Sequence, residues 1–296
     1  MSNLRHSIIL GVFGLIFSFT FMYSSSSAVT LSEEKVQSLY QQAIRDKKIV
    51  SYKYTYQAFK DNIGRFENQY QTLVKDKQLD PEQISLEQWL NQNNYGAFSD
   101  GAAYDYAQPK YLFRSQEDNA LQFEKTLRKG DIIIEGGTNT SGPFIGHTAI
   151  ATTNNIVLEM TGGNDCFKGI PDNNHQFKIV DWLRGNNGST RHINNWLRIY
   201  RLSDQQVARK AADWGDWRFY SSNHGWIKDR HIRYLINTQL RILDPNYCSK
   251  LVYQAYYYGS DNLPVLKPSL IGNQGIVIPS LLPNWFNYQI NNIGTY

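Results

Sequence analysis

Cys248 stands in the run Asn-Tyr-Cys-Ser-Lys-Leu-Val-Tyr-Gln-Ala-Tyr, and His147 stands well upstream in Gly-His-Thr-Ala-Ile. A thiol attacks a carbonyl only as thiolate, and a helix N-terminus and a neighbouring imidazole are two common devices that produce one. Leu251, Val252, Ala255 and Tyr256 follow the thiol at helical spacing, so Cys248 is predicted to open an amphipathic helix. The N–H groups of that first turn favour thiolate and suit an oxyanion. The preceding Asp244-Pro245-Asn246-Tyr247 reads as a turn with Asn246 as the helix cap.

A lone strand histidine is more often structural than catalytic, so His147 needs a partner. Glu159, in Ile-Val-Leu-Glu-Met, is a carboxylate inside an apolar strand, and acidic groups are seldom buried unpaired. From an adjacent antiparallel strand it would take one imidazole nitrogen and leave the other for a thiol. The competing reading turns Glu159 to solvent at a sheet edge, which strand alternation also permits. A second competitor is a Cys166–Cys248 disulfide, since two cysteines in an exported chain normally pair and the bridge would consume the nucleophile. The flanking residues favour a free Cys248. The six histidines are dispersed without zinc-site spacing, so no metal and no cofactor is expected. His192, His224 and His231 read as surface or structural.

The elements that must position these groups fall into two regions. Residues 29–127 are helical in pattern, with Val36, Leu39, Tyr40 and Ala43, then Tyr56, Phe59, Ile63 and Phe66, at three- and four-residue spacing. Asp80-Pro81-Glu82-Gln83 reads as a helix opening, with Leu86, Trp89 and Leu90 on one face. Residues 128–296 switch to strands at Gly130 to Glu135, Gly146 to Thr152, Ile156 to Met160 and Leu197 to Leu202, with a loop at Thr138 to Pro143. A helix from Gln205 to Trp214 follows. The tail from Gly259 is rich in Pro, Asn and Gly. The fold class is therefore α+β, an antiparallel sheet packed on the cysteine helix behind a helical N-terminal extension.

At 296 residues, 41% apolar and 14% aromatic, the chain can bury a substantial core. Its net charge of +4 carries no basic block with interleaved aromatics, so nucleic acid is not an expected partner. Arg5 and His6, the apolar run Ile8 to Met22 and the small residues Ser24 to Ala28 read as a signal peptide over residues 1–28, cleaved near Ala28. An uncleaved anchor is the alternative. A secreted or envelope-associated protein is expected.

Gly-Asp-Ile-Ile at 130–133, Gly-His-Thr-Ala-Ile at 146–150, Val-Leu-Glu-Met at 157–160 and Tyr-Cys-Ser-Lys-Leu-Val at 247–252 together resemble the circularly permuted papain-like cysteine hydrolases, nearest the YiiX/YaeF-like branch of the NlpC-type superfamily. The resemblance runs from about Leu127 to Tyr258, in the permuted order of strands before cysteine helix. It implies Cys248 as nucleophile, His147 as general base, Glu159 as the residue orienting the imidazole, and Tyr220 and Tyr247 as substrate-binding residues. The Asn-rich stretch between Glu159 and Leu197, which carries Cys166 and His175, departs from the pattern and reads as a substrate loop or lid. With export, the resemblance implies thiol-dependent cleavage of an amide in cell-wall peptide. The alternatives are a lipid acyl hydrolase or acyltransferase of the lecithin–retinol acyltransferase-like type, acting on a lipid-like acyl substrate, and an inactive cell-surface binding protein.

Overall fold

The computed structural model describes residues 31–77, 79–98, 101–103, 115–136, 146–163, 165–261, 265–266 and 275–296. The leader at 1–28 and the loop expected at Thr138 to Pro143 lie outside them. Among the described residues no helix is long and apolar enough to cross a membrane.

The N-terminal stripes form helices as their spacing predicts. α1 (Glu33–Arg45) buries Val36, Leu39, Tyr40 and Ala43, and the Ser32 hydroxyl caps it by accepting from Lys35 N. In α2 (Tyr56–Lys75) Thr55 does the same for Ala58 N, and Phe59, Ile63 and Phe66 are buried. α3 (Leu86–Gln92) departs from expectation by starting at Ser85, not at Asp80. Asp80 closes a separate turn through its carbonyl to Gln83 N and Ile84 N. Ser85 and Gln88 then form a reciprocal capping box, and satisfying two orphan donors outweighs the weaker Asp80-Pro81 signal. α4 (Gln116–Thr126) leads into the sheet.

Six strands follow: β1 (Ile132–Gly136), β2 (His147–Ala151), β3 (Ile156–Met160), β4 (Asn174–Lys178), β5 (Trp196–Leu202) and β6 (Ile290–Thr295). They form one sheet in the order β4-β3-β2-β1-β5-β6, antiparallel at every pairing. α5 (Ile179–Arg184) follows β4, α6 (Gln205–Phe219) follows β5, and α7 (Cys248–Gly259) precedes β6. The fold is α+β, as expected. Two edges of the sheet were not expected from sequence. The Asn-rich stretch read as a lid supplies β4 and α5, and the Pro/Asn/Gly-rich tail supplies β6. Asn-rich strands lack the apolar alternation that marks a strand locally, and the sheet edge recruits them through backbone pairing.

Alternation divides the sheet into two faces. Ile132, Ile134, Ile150 and Leu158 point to α6 and α7 and share a core with Leu251, Val252, Ala255 and the residues of α1 to α3. Ile133, Ala149, Val157 and Ile199 point to the other face, against Phe123 of α4 and Trp182 of α5. Each large apolar side chain so buried contributes about 1.5–3 kcal/mol relative to exposure. α6 and α7 approach closely through small residues: a Cβ on Gly259 would lie 2.8 Å from Ala211 Cα, and one on Gly215 would lie 3.3 Å from Ala255 Cβ.

The turn into β1 explains the Gly-Asp pair of the motif. Gly130 holds φ at +87°, and a Cβ there would meet the Ala208 carbonyl oxygen at 2.5 Å. Its own carbonyl accepts from the Tyr256 hydroxyl of α7. Asp131 is buried and bound bidentately by Arg201 of β5, Nε to Oδ1 and Nη2 to Oδ2, each at 2.7 Å. Gly130→Ala, which adds both backbone strain and a collision with α6, is expected to destabilise the protein by about 2 kcal/mol or more, read as a lowered urea midpoint at unchanged slope.

Candidate active site

The pairing register brings the candidate residues together. Ala149 on β2 sits opposite Glu159 on β3, so His147, two residues from Ala149, shares a face with Glu159. His147 Nε2 donates to Glu159 Oε2 at 2.6 Å, and both residues have 0% exposure. The carboxylate accepts only, so it fixes the ring proton on Nε2. Burial removes the solvent-exposed alternative for Glu159. Trp182 of α5 donates its indole N–H to the same Oε2 at 2.8 Å.

Cys248 approaches the imidazole from α7 and interacts electrostatically with His147. With Nε2 engaged by Glu159, the buried Nδ1 has no hydrogen-bond partner among the described residues and is the nitrogen left for the thiol. By alternation His147 lies on the α5 face, whereas α7 packs on the other. Each residue is the first of its element, and the two interact although their elements pack on opposite faces.

The first turn of α7 is clamped on both sides of the thiol. Tyr247 OH accepts from Val277 N at 2.9 Å, and Ser249 Oγ donates to Val277 O at 2.6 Å. Lys250, fully buried, donates from Nζ to Pro245 O at 2.9 Å, and burial lowers its pKa to about 7. Asn246 is not the cap expected. Its side-chain oxygen accepts from Tyr247 N and its amide donates to Gln254, which in turn holds the carbonyls of Leu240 and Ile242. Tyr247 is the N-cap residue and offers no side-chain bond to the helix. With no side chain among the described residues capping it, the positive end of α7 faces whatever reacts at Cys248.

Charge follows this geometry. Burial alone would depress the His147 pKa, but the hydrogen bonds and charges of Cys248 and Glu159 reverse that and hold it well above the usual histidine value. Burial pushes Glu159 up, yet the His147 charge and hydrogen bond, with His192 and Trp182, bring it down to about 2. A cationic imidazole beside a thiol stabilises the thiolate. Cys166 is a free thiol, as is Cys248, so the disulfide reading gives way. Burial raises the Cys166 pKa to about 11 and makes it a poor nucleophile at neutral pH.

The two tyrosines are held by other groups. Tyr220 is the C-cap residue of α6, and its hydroxyl donates to Trp226 O at 3.3 Å. Tyr247 is buried, with its hydroxyl held by Val277 N. His224 and His231 are exposed. His192 is not a surface residue: it is 1% exposed and lies beside the His147–Glu159 pair, with Nε2 3.9 Å from Glu159 Oε2. Its neighbour Glu135, on β1 opposite His147, completes the buried cluster. Glu135 was legible as a carboxylate ending an apolar strand, the same signal that marked Glu159; His192, in a polar loop segment, carried none. Among the described residues no group of three or more His, Cys, Asp or Glu is placed to hold a metal ion.

Residues 103–280 match the family described as lipoprotein N-acylation protein LnsA-like. A protein of Bacillus thuringiensis described as an uncharacterized 30.3 kDa protein is 33% identical over 267 residues, covering 88% of each chain. No solved structure matches the chain.

The Glu159 pKa of about 2 lies below its ordinary value of 4.5, so the carboxylate contributes stability that is present above pH 4.5 and lost as pH falls towards 2. Glu159→Gln should remove that acid-limb dependence and, by stripping a buried imidazole of its counter-charge, cost about 3–5 kcal/mol at neutral pH. Urea titrations of both proteins across this pH range check it; parallel acid limbs would refute the assignment.

Proposed function

The chain belongs to the lipoprotein N-acylation protein LnsA-like family, and from that premise we propose that it is an acyltransferase working through a thioester on Cys248. The observation that carries the reading is the buried Glu159–His147–Cys248 line, with the thiol at the uncapped start of α7. The lipid-acyl alternative fits the family description better than cleavage of cell-wall peptide, the first expectation from sequence. The permuted order of strands before cysteine helix supports a papain-like relationship, and we place the chain nearest the YiiX/YaeF-like branch on its motifs. The apolar segment Ile8 to Met22 supports work at the outer side of a membrane.

In the first half-reaction Cys248 Sγ attacks the carbonyl carbon of a lipid ester, and the carbonyl electron pair moves to oxygen. The positive end of α7 stabilises that oxyanion. Collapse of the adduct breaks the ester C–O bond, and the departing alkoxide takes the proton from His147 Nδ1. Glu159 keeps the ring oriented and offsets its charge throughout. In the second half-reaction an amine attacks the thioester, His147 accepts the amine proton, and the thiolate leaves as an amide forms. Water in place of the amine makes the same site a hydrolase.

The purified protein incubated with phospholipid vesicles and an amine-bearing lipopeptide should transfer an acyl chain and carry a hydroxylamine-labile acyl mass on the Cys248 peptide. Cys248→Ala should lower transfer more than about 10³-fold, and His147→Gln about 10²–10⁴-fold. Retained transfer in Cys248→Ala would end the proposal. Turnover of peptidoglycan fragments with none of the lipid would return the site to amide hydrolysis, and no turnover or thiol adduct of any kind would favour a binding protein.

A further inference from the structure

Beneath the His147–Glu159 pair lies a second imidazole–carboxylate pair that the reaction above does not use. Glu135 sits directly opposite His147 across the β1–β2 ladder and so projects from the same face of the sheet. Its Oε2 accepts from His192 Nδ1 at 2.6 Å, and its Oε1 accepts from Asn195 Nδ2 at 2.6 Å. The carboxylate therefore fixes a proton on His192 Nδ1. The other ring nitrogen, Nε2, is buried, has no hydrogen-bond partner among the described residues, and faces Glu159 Oε2 at 3.9 Å, inside ion-pair range. The imidazole lies parallel to the Trp182 indole, ring centres 4.0 Å apart at 13°. That indole is the group whose N–H holds the same Glu159 oxygen.

We propose that His192, anchored by Glu135 and stacked on Trp182, is a positioning residue that presents a second N–H to Glu159 and so keeps that carboxylate ionised and aligned on His147. Two carboxylates, Glu135 and Glu159, and two imidazoles, His147 and His192, share one buried region, where a carboxylate deprived of water depends on the donors and positive charge that face it. The titratable groups facing His192 are Glu135 from β1, Glu159 from β3 and His147 from β2, whose ring centre is 5.9 Å away. His175, opposite Glu159 on β4, completes the surroundings of that carboxylate.

This role rests on Cys248 being the thiolate nucleophile, and the test reads that thiolate without any acyl substrate. The rate of iodoacetamide alkylation is measured against pH and assigned to the Cys248 peptide by mass spectrometry, which separates it from Cys166. The wild-type protein should be alkylated well below the pH at which an ordinary cysteine reacts. His192→Phe keeps the stack on Trp182, and His192→Gln keeps a donor to Glu135; both remove the imidazole facing Glu159. Each should move the acid limb upward by about one pH unit, because a Glu159 anion without His192 beside it supports the His147 charge, and through it the Cys248 thiolate, less well. Should one variant fail to fold, the other supplies the measurement. Variants that melt lower yet retain the wild-type pH profile would make His192 structural only and overturn the proposal. A wild-type protein without low-pH alkylation would remove the thiolate reading itself, and that failure is visible before any variant is examined.

Discussion

A hydrogen bond of 2.6 Å joins His147 to Glu159 where neither has any exposed surface. Ionised groups taken out of water lose several kcal/mol of solvation, which their mutual attraction offsets only with good geometry and further hydrogen bonds. Much of the surrounding architecture follows from that constraint. The β2–β3 register sets the two side chains on one face, α5 closes that face with Trp182, and the indole N–H supplies Glu159 with a second donor. The Glu135–His192 pair lies beside it in the same buried cluster.

In the proposed reaction this pair is met from the opposite side of the sheet. α7 packs against Ile150 and Leu158 and begins at Cys248, which interacts with His147. The approach is held by backbone-directed bonds. Val277 is gripped by Tyr247 and Ser249, and Asn246 is tied to Gln254. Because these side chains serve the loops around α7, none is spent capping the helix, and its positive end remains for the chemistry. The apolar stripe of Leu251, Val252 and Ala255 fixes the position of the helix, and in the proposed mechanism its uncapped first turn holds the oxyanion.

Much of this was legible in the chain. Continuous β-branched runs located β1 to β3 nearly to the residue, and helical stripes located α1, α2, α6 and α7. A lone carboxylate in an apolar strand announced Glu159, because a buried acid requires a partner. What stayed hidden were elements whose pairing is nonlocal. β4 and β6 are polar strands at the two edges of the sheet, recognisable only once β3 and β5 exist to receive them. The start of α3 moved because two caps competed, and Ser85 with Gln88 satisfied more donors than Asp80.

The sequence by itself determined the chemistry available: a thiol at a helix start, an imidazole and a carboxylate at neighbouring strand positions, and the α+β class that periodicity dictates. Only the tertiary structure decided which nitrogen of His147 faces the thiol, that Cys166 stays a separate thiol, and that His192 and Glu135 stand behind Glu159. Periodicity is a local property, carried by adjacent residues along one strand or helix. Hydrogen-bond partnership among buried charges is set by strand register and by the helices that seal each face, and these form only when distant segments meet.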